Sequence, residues 1–140
     1  MIVGHFTAAV AVYLNHRFVF HGFLGKLPVL RQLRKLHCLH HAHAYDNQRN
    51  NYFEPIWVRA LFFVVIGLFG FYLSWAFSFG LLTYGIFYYY RHKAIHNYDF
   101  TSNFSLHHEY HHKKNPFTNF SGIYPFIDRI FGTMAEQQNL

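Results

Sequence analysis

ALFFVVIGLFGFYLSWAFSFGLLTYGIFYYY, running from Ala60 to Tyr90, is a stretch of 31 residues without Asp, Glu, Lys, Arg or His. A single membrane helix uses about 20 residues, so the stretch is too long for one crossing. Gly67, Gly70, Gly80 and Gly85 punctuate it. Near its middle, Ser74-Trp75-Ala76-Phe77-Ser78 has the small polar and aromatic character of a turn at a membrane surface. The pattern predicts a helical hairpin whose first arm starts near Ile56, just after Pro55, and whose second runs through Tyr88-Tyr89-Tyr90 into Arg91. The second arm is short, and its length is made up if the helix continues through His92 and His96, one turn apart.

Working outward, residues 1–14 are apolar except for His5 and run into Asn15-His16-Arg17, which reads as a first membrane helix. Neither a basic leader nor a small-residue cleavage site accompanies it, so it is expected to stay in the mature protein. Every Lys and Arg lies within residues 17–59 or 91–129, and none lies in the hairpin turn; both basic segments are expected on the cytoplasmic face. The expected fold is thus an all-α integral membrane protein, one domain over residues 1–140, with an N-terminal membrane helix, a membrane hairpin and cytoplasmic helices carrying the histidines. Composition agrees: 52% hydrophobic, 22% aromatic and 13% charged residues depart from a soluble domain, where about a quarter are charged. With 6 acidic residues against 12 Lys and Arg, an ion-paired coiled coil and a carboxylate-built metal site lack material. Sparse basic residues beside so long an apolar run also argue against nucleic-acid binding. The lone Cys38 makes no internal disulfide and is given no role.

Of 13 histidines, ten fall into four groups: His16 and His21; His37, His40 and His41; His92 and His96; His108, His111 and His112. On a helix, positions i, i+3 and i+4 share a face, so each His-x-x-His-His box is expected to turn three imidazoles toward a common point. His16 and His21, five apart, lie roughly 140° apart on an ideal helix, which means either two different metals or a distorted helix end. A closed structural zinc site takes four ligands, so ten histidines imply more than one metal. Shared between two ions they give about five each, leaving roughly one open position per ion in six-coordination. Imidazole alone does not select among iron, zinc, copper and nickel. His5 and His43 read as ordinary interfacial residues, and His107 is left outside the ligand set. Asp46, Glu109 and Asp128 are candidates to accept an imidazole N–H from behind the metal, with salt bridges to Arg49, Lys113 or Arg129 as the competing use. Rival classes are a membrane metal-binding or transport protein, a b-type haem protein and a metal-free interaction protein. Transport calls for ionisable groups within the bilayer, and residues 60–90 offer none but tyrosines; haem ligation calls for a few histidines at membrane depth.

The runs Asn15-His16-Arg17-Phe18-Val19-Phe20-His21-Gly22, His37-Cys38-Leu39-His40-His41, His92-Lys93-Ala94-Ile95-His96 and His107-His108-Glu109-Tyr110-His111-His112, in that order, resemble the fatty acid hydroxylase superfamily over roughly residues 13–134. That superfamily takes in sterol desaturases, fatty acid 2-hydroxylases and carotenoid hydroxylases. Arg17, Asp46, Arg49 and Pro55 resemble the 2-hydroxylase branch. Asn119-Phe120-Ser121-Gly122 and Asp128-Arg129-Ile130-Phe131-Gly132-Thr133 are more similar to the sterol desaturase branch, and carotenoid hydroxylases are similarly short.

The resemblance implies two non-haem iron ions held by the ten histidines, with dioxygen as co-substrate and zinc able to replace iron in a purified form. It implies hydroxylation or desaturation of a lipid such as a fatty acyl chain or sterol. Some 2-hydroxylases carry a fused haem domain for which this chain has no room, so a separate cytochrome- or ferredoxin-type donor is expected. Arg34, Lys35, Lys113 and Lys114 form a basic rim suited to an acidic redox partner or anionic headgroups, or to ordinary positive-inside anchoring. Phe69, Phe87 and Tyr88 suit an acyl passage but serve equally as packing, and carry no assigned role.

Overall fold

The structure is a computed structural model that describes residues 1–46, 56–97 and 103–135. Its described residues are helical, without a strand: α1 (Ile2–Asn15), a π-turn at His16–Phe20, a short 3-10 turn at Leu24–Lys26, α2 (Arg31–His43), α3 (Ile56–Tyr72), α4 (Trp75–Asn97), α5 (Asn103–Lys113) and α6 (Pro125–Ile130). The 3-10 turn ends at Leu27, which is extended at ψ 141° because the ring of Pro28 disfavours helix in the residue before it. Pro125 opens α6 at the position where its missing N–H costs nothing.

The hairpin is present as α3 and α4, but its turn is tighter than expected. Leu73 and Ser74 alone make it, both amides donating to the Phe69 carbonyl at 2.9 and 3.3 Å, and Trp75 to Ser78 form the first turn of α4. Packing explains the shift: the Trp75 ring lies against Gly70, where a Cβ would come within 2.6 Å of it. The Ser78 hydroxyl meanwhile donates to the Ile66 carbonyl at 2.9 Å. A small polar residue early in α4 thus ties one arm to the other. Beyond the apolar run α4 continues without a break through His92 and His96.

Helix α1 packs along α4. Ala8, Ala9 and Tyr13 of α1 meet Leu81 and Tyr84 of α4 in a buried cluster that also takes in Ile66, Phe120 and Ile127. The approach is close because glycines face each other: a Cβ on Gly4 would sit 2.0 Å from the Phe77 carbonyl oxygen, and one on Gly80 would sit 2.0 Å from that of Met1. His5 does not join the other histidines; it lies in this crossing, its Nε2 2.9 Å from the Tyr124 hydroxyl and its Nδ1 3.2 Å from Thr83 Oγ1.

Among the described residues no helix is long and apolar enough to cross a membrane, which corrects the expectation of spanning helices. The reason is length: the 14 residues of α1 reach about 21 Å and the 17 of α3 about 26 Å, against a hydrocarbon core of about 30 Å. The 23 residues of α4 are long enough, but its last turns carry Arg91, His92, Lys93 and His96.

Candidate metal centre

The ten boxed histidines come together at one end of the fold, in two groups of five whose ligand atoms lie within 4.8 Å of one another. One group is His16, His21, His37, His41 and His111; the other is His40, His92, His96, His108 and His112. Neither contains a carboxylate. The groups adjoin, with the rings of His41 and His112 stacked at 4.1 Å.

Each box therefore divides between the groups, which corrects the expectation of three imidazoles turned to one point. At about 100° per residue, i and i+4 sit about 40° apart while i+3 is about 100° from i+4. His37 and His41 accordingly go together and His40 swings to the other group; His108 and His112 go together and His111 swings across. Each group thus receives a pair from one box and a single histidine from the other. The remaining pairs come from α4, where His92 and His96 are one turn apart, and from the end of α1. There the five-residue spacing of His16 and His21 is accommodated by the π-turn, in which the His21 amide donates to the His16 carbonyl at 3.1 Å. The wider turn brings i and i+5 onto one side, so the distorted helix end is the outcome and both residues serve one group.

The donor chemistry tests whether metal fits. His37 Nε2 has three imidazole Nε2 neighbours: His21 at 2.8 Å, His41 at 3.0 Å and His16 at 3.1 Å. In the other group His108 Nε2 lies 2.9 Å from that of His92 and 3.1 Å from those of His96 and His112. One imidazole nitrogen carries one proton or one lone pair, so such a cluster cannot be satisfied by hydrogen bonds among its members. Moreover, His16 Nδ1 donates to the Phe120 carbonyl at 2.6 Å and His111 Nδ1 to that of Thr118 at 2.7 Å. Those bonds leave the Nε2 of each neutral ring as a lone pair aimed inward. Converging lone pairs call for a cation, and adjacent nitrogens about 2.1 Å from a common ion stand about 3.0 Å apart at right angles. The residues fit a pair of metal ions.

The electrostatics agree. Burial, helped by His41 and other neighbouring charges, pushes His21, His40 and His111 down to about 3, and burial brings His41 and His96 to about 4. Burial and imidazole neighbours hold His16, His37, His92, His108 and His112 well below the usual histidine range. All ten are neutral at pH 7, the state in which imidazole binds metal.

The carboxylates expected behind the ligands act differently. Glu109 pairs with Lys113, whose ammonium also lies over the Tyr45 ring at 4.5 Å, and Asp46 lies 3.9 Å from His43 Nδ1. Asp128 is fully buried and accepts from His107 Nε2 at 3.0 Å, not from any of the ten. The residues behind His16 and His111 are instead the backbone carbonyls of Phe120 and Thr118, which no side-chain pattern announces. Arg34 of the basic rim is engaged, donating to the Gly22 carbonyl at 2.9 Å, and Cys38 is exposed. Arg49 and Pro55 lie outside the described residues. Phe69 and Phe87 are partly exposed, while Tyr88 stacks on His92 at 5.1 Å.

A family model described as fatty acid hydroxylase matches residues 1–133. No curated protein and no solved structure matches the chain.

Proposed function

Since the chain belongs to the fatty acid hydroxylase family, we propose that it is a membrane-bound non-haem di-iron oxidoreductase that uses dioxygen to hydroxylate or desaturate a lipid C–H bond. The observation that carries this reading is the convergence of ten neutral imidazoles into two adjoining groups of five. Iron held by these ten histidines would supply reductive activation of dioxygen and removal of hydrogen from carbon. In hydroxylation one oxygen atom enters the C–H bond and the other leaves as water, with two electrons from a separate donor protein and two protons from water. In desaturation two hydrogens leave the lipid and, with the same two electrons and two protons, both oxygen atoms end as water. The chain's own part is to hold, orient and shield. The Phe20 ring stacks on His37 at 4.6 Å and Phe120 packs edge-on against His16 and His111, apolar cover that keeps bulk water from the ligands.

The lipid reaches the centre from the bilayer. Leu61, Phe63, Val64, Leu68, Tyr72, Trp75 and Phe79 of the hairpin are exposed, an apolar surface that a protein in water covers. With no helix among the described residues both long and apolar enough to cross, the hairpin and α1 dip into the bilayer from the side on which the histidines and basic residues lie, taken as the cytoplasmic face. The test is mass spectrometry of lipids from cells expressing the chain under ¹⁸O₂. A lipid carrying one labelled oxygen, or lacking two hydrogens, is expected from the wild type and absent from His41→Ala; unchanged lipids from an iron-loaded protein in a host supplied with fatty acyl and sterol lipids contradict the reading.

A further inference from the structure

The two halves of the centre differ in what stands behind two imidazoles of each. His108 and His112 have a buried Nδ1 with no acceptor among the described residues, whereas His16 and His111 each donate to a carbonyl of the segment after α5. That segment is held by the chain's last described turn. Asp128 Oδ1 accepts from the Phe120 amide at 2.8 Å and from the Thr133 hydroxyl at 2.7 Å; Oδ2 accepts from the Ser121 amide at 2.9 Å and from His107 at 3.0 Å. Burial by itself raises the carboxyl, but the hydrogen bonds from His107, Ser121 and Thr133 outweigh it and hold the group below its ordinary value. Asn119, at φ 57°, takes the left-handed turn that asparagine tolerates better than most residues. Its side chain ties the segment to both sides, donating to the His107 carbonyl at 3.1 Å and accepting from the Ala135 amide at 2.8 Å.

The Ser121 amide and the Phe120 carbonyl are the two ends of one peptide unit. A buried carboxylate on the N–H end drives negative charge onto the oxygen at the other end, which strengthens it as an acceptor. The same construction serves His111: its acceptor, the Thr118 carbonyl, shares a peptide unit with the Asn119 amide, which donates to the Thr133 carbonyl at 2.9 Å. The Thr133 amide returns to the Asp128 carbonyl at 2.8 Å. We propose that Asp128 is a positioning residue for one half of the metal centre: it fixes the tautomer and raises the donor strength of His16 through the Phe120–Ser121 peptide unit, and of His111 through Thr133 and the Thr118–Asn119 unit. The group of His16, His21, His37, His41 and His111 is then the tighter of two unequal metal sites.

The inference rests on the metal-binding reading and is tested separately from it, by titrating the full-length, metal-stripped chain in detergent with Co²⁺ and following its visible absorption. The wild type takes up two Co²⁺ ions in separate steps. In Asp128→Asn one ion is expected to bind about 10- to 100-fold more weakly while the other is unchanged, and the surviving absorption matches that of His111→Ala rather than His112→Ala. If Asp128→Asn fails to fold, Thr133→Val removes one donor to the carboxylate and is expected to weaken the same ion about 3- to 10-fold. Two Co²⁺ ions held with wild-type affinity by a folded variant, or both weakened alike, overturn the inference. No Co²⁺ uptake by the wild type overturns the metal-binding reading itself.

Discussion

His111→Ala is expected to reduce tightly bound iron from about two ions per chain to about one and to abolish product formation, a larger loss than the roughly 10- to 100-fold typical of residues behind a ligand. The geometry sets that size. His111 reaches across from α5 to the group supplied otherwise by the π-turn with the His21 that follows it and by α2, with its Nε2 3.1 Å from that of His41. Truncation leaves four inward lone pairs in a buried space, a coordination vertex open to water, and the Thr118 carbonyl without its donor. Because His112, the next residue, serves the other group, the second ion is retained. Metal analysis with a lipid product assay checks this, and His43→Ala, outside both groups, is the matched control expected to keep both ions. Loss of both ions from His111→Ala would show the halves to be interdependent, and retention of both would remove His111 from the ligands.

Gly4→Val and Gly80→Val are expected to be at least as damaging, although neither residue belongs to the two groups of five histidines. A Cβ at either site lands 2.0 Å from a carbonyl oxygen of the facing helix, and backbone cannot step aside as a side-chain end can. Overpacking of a fitted interface costs about 1–3 kcal/mol, and a forced backbone separation lies at or beyond the upper end. Since α1 leads directly into the turn that carries His16 and His21, its displacement from α4 removes two of five imidazoles from one group. The expected result is a lower thermal midpoint in detergent together with weakened binding of that group's ion. Gly67→Ala, whose Cβ would meet nothing within 4 Å, is expected to leave both unchanged. Wild-type midpoints in the valine variants would mean that α1 and α4 do not meet as described.

What could be read from sequence follows a physical division. Absence of charge over residues 60–90 marked the hairpin, because burial of ionisable groups is costly enough to leave a trace in composition. The histidine spacings likewise marked the centre, because one helical turn is a rigid ruler. The same ruler also held the division of each box, since i+3 and i+4 diverge by about 100°, but face-sharing alone suggested convergence. Three features left no such trace. The π-turn at His16–Phe20 is made by i+5 backbone hydrogen bonding such as that of His21 to His16, where the side chains would equally allow the i+4 bonds of an α-helix. The tight turn at Leu73 and Ser74 goes with the contact of Trp75 with Gly70 and the Ser78 bond to the Ile66 carbonyl, contacts between the two arms that the polarity of Ser74 and Ser78 does not announce. The acceptors behind His16 and His111 are backbone carbonyls, a group that every residue carries. Asp128 was singled out from sequence as a partner of a metal ligand; it lies one peptide unit further back, because His107 and the Phe120 and Ser121 amides occupy its oxygens first.

The most direct measurement is metal content and absorbance of the detergent-purified wild-type chain, grown with iron and compared with His41→Ala. About two non-haem ions per chain, iron or zinc in its place, are expected, falling to about one in the variant. A wild type that holds no metal after anaerobic reconstitution with ferrous iron, or that shows a haem band, contradicts a centre built from two groups of five histidines.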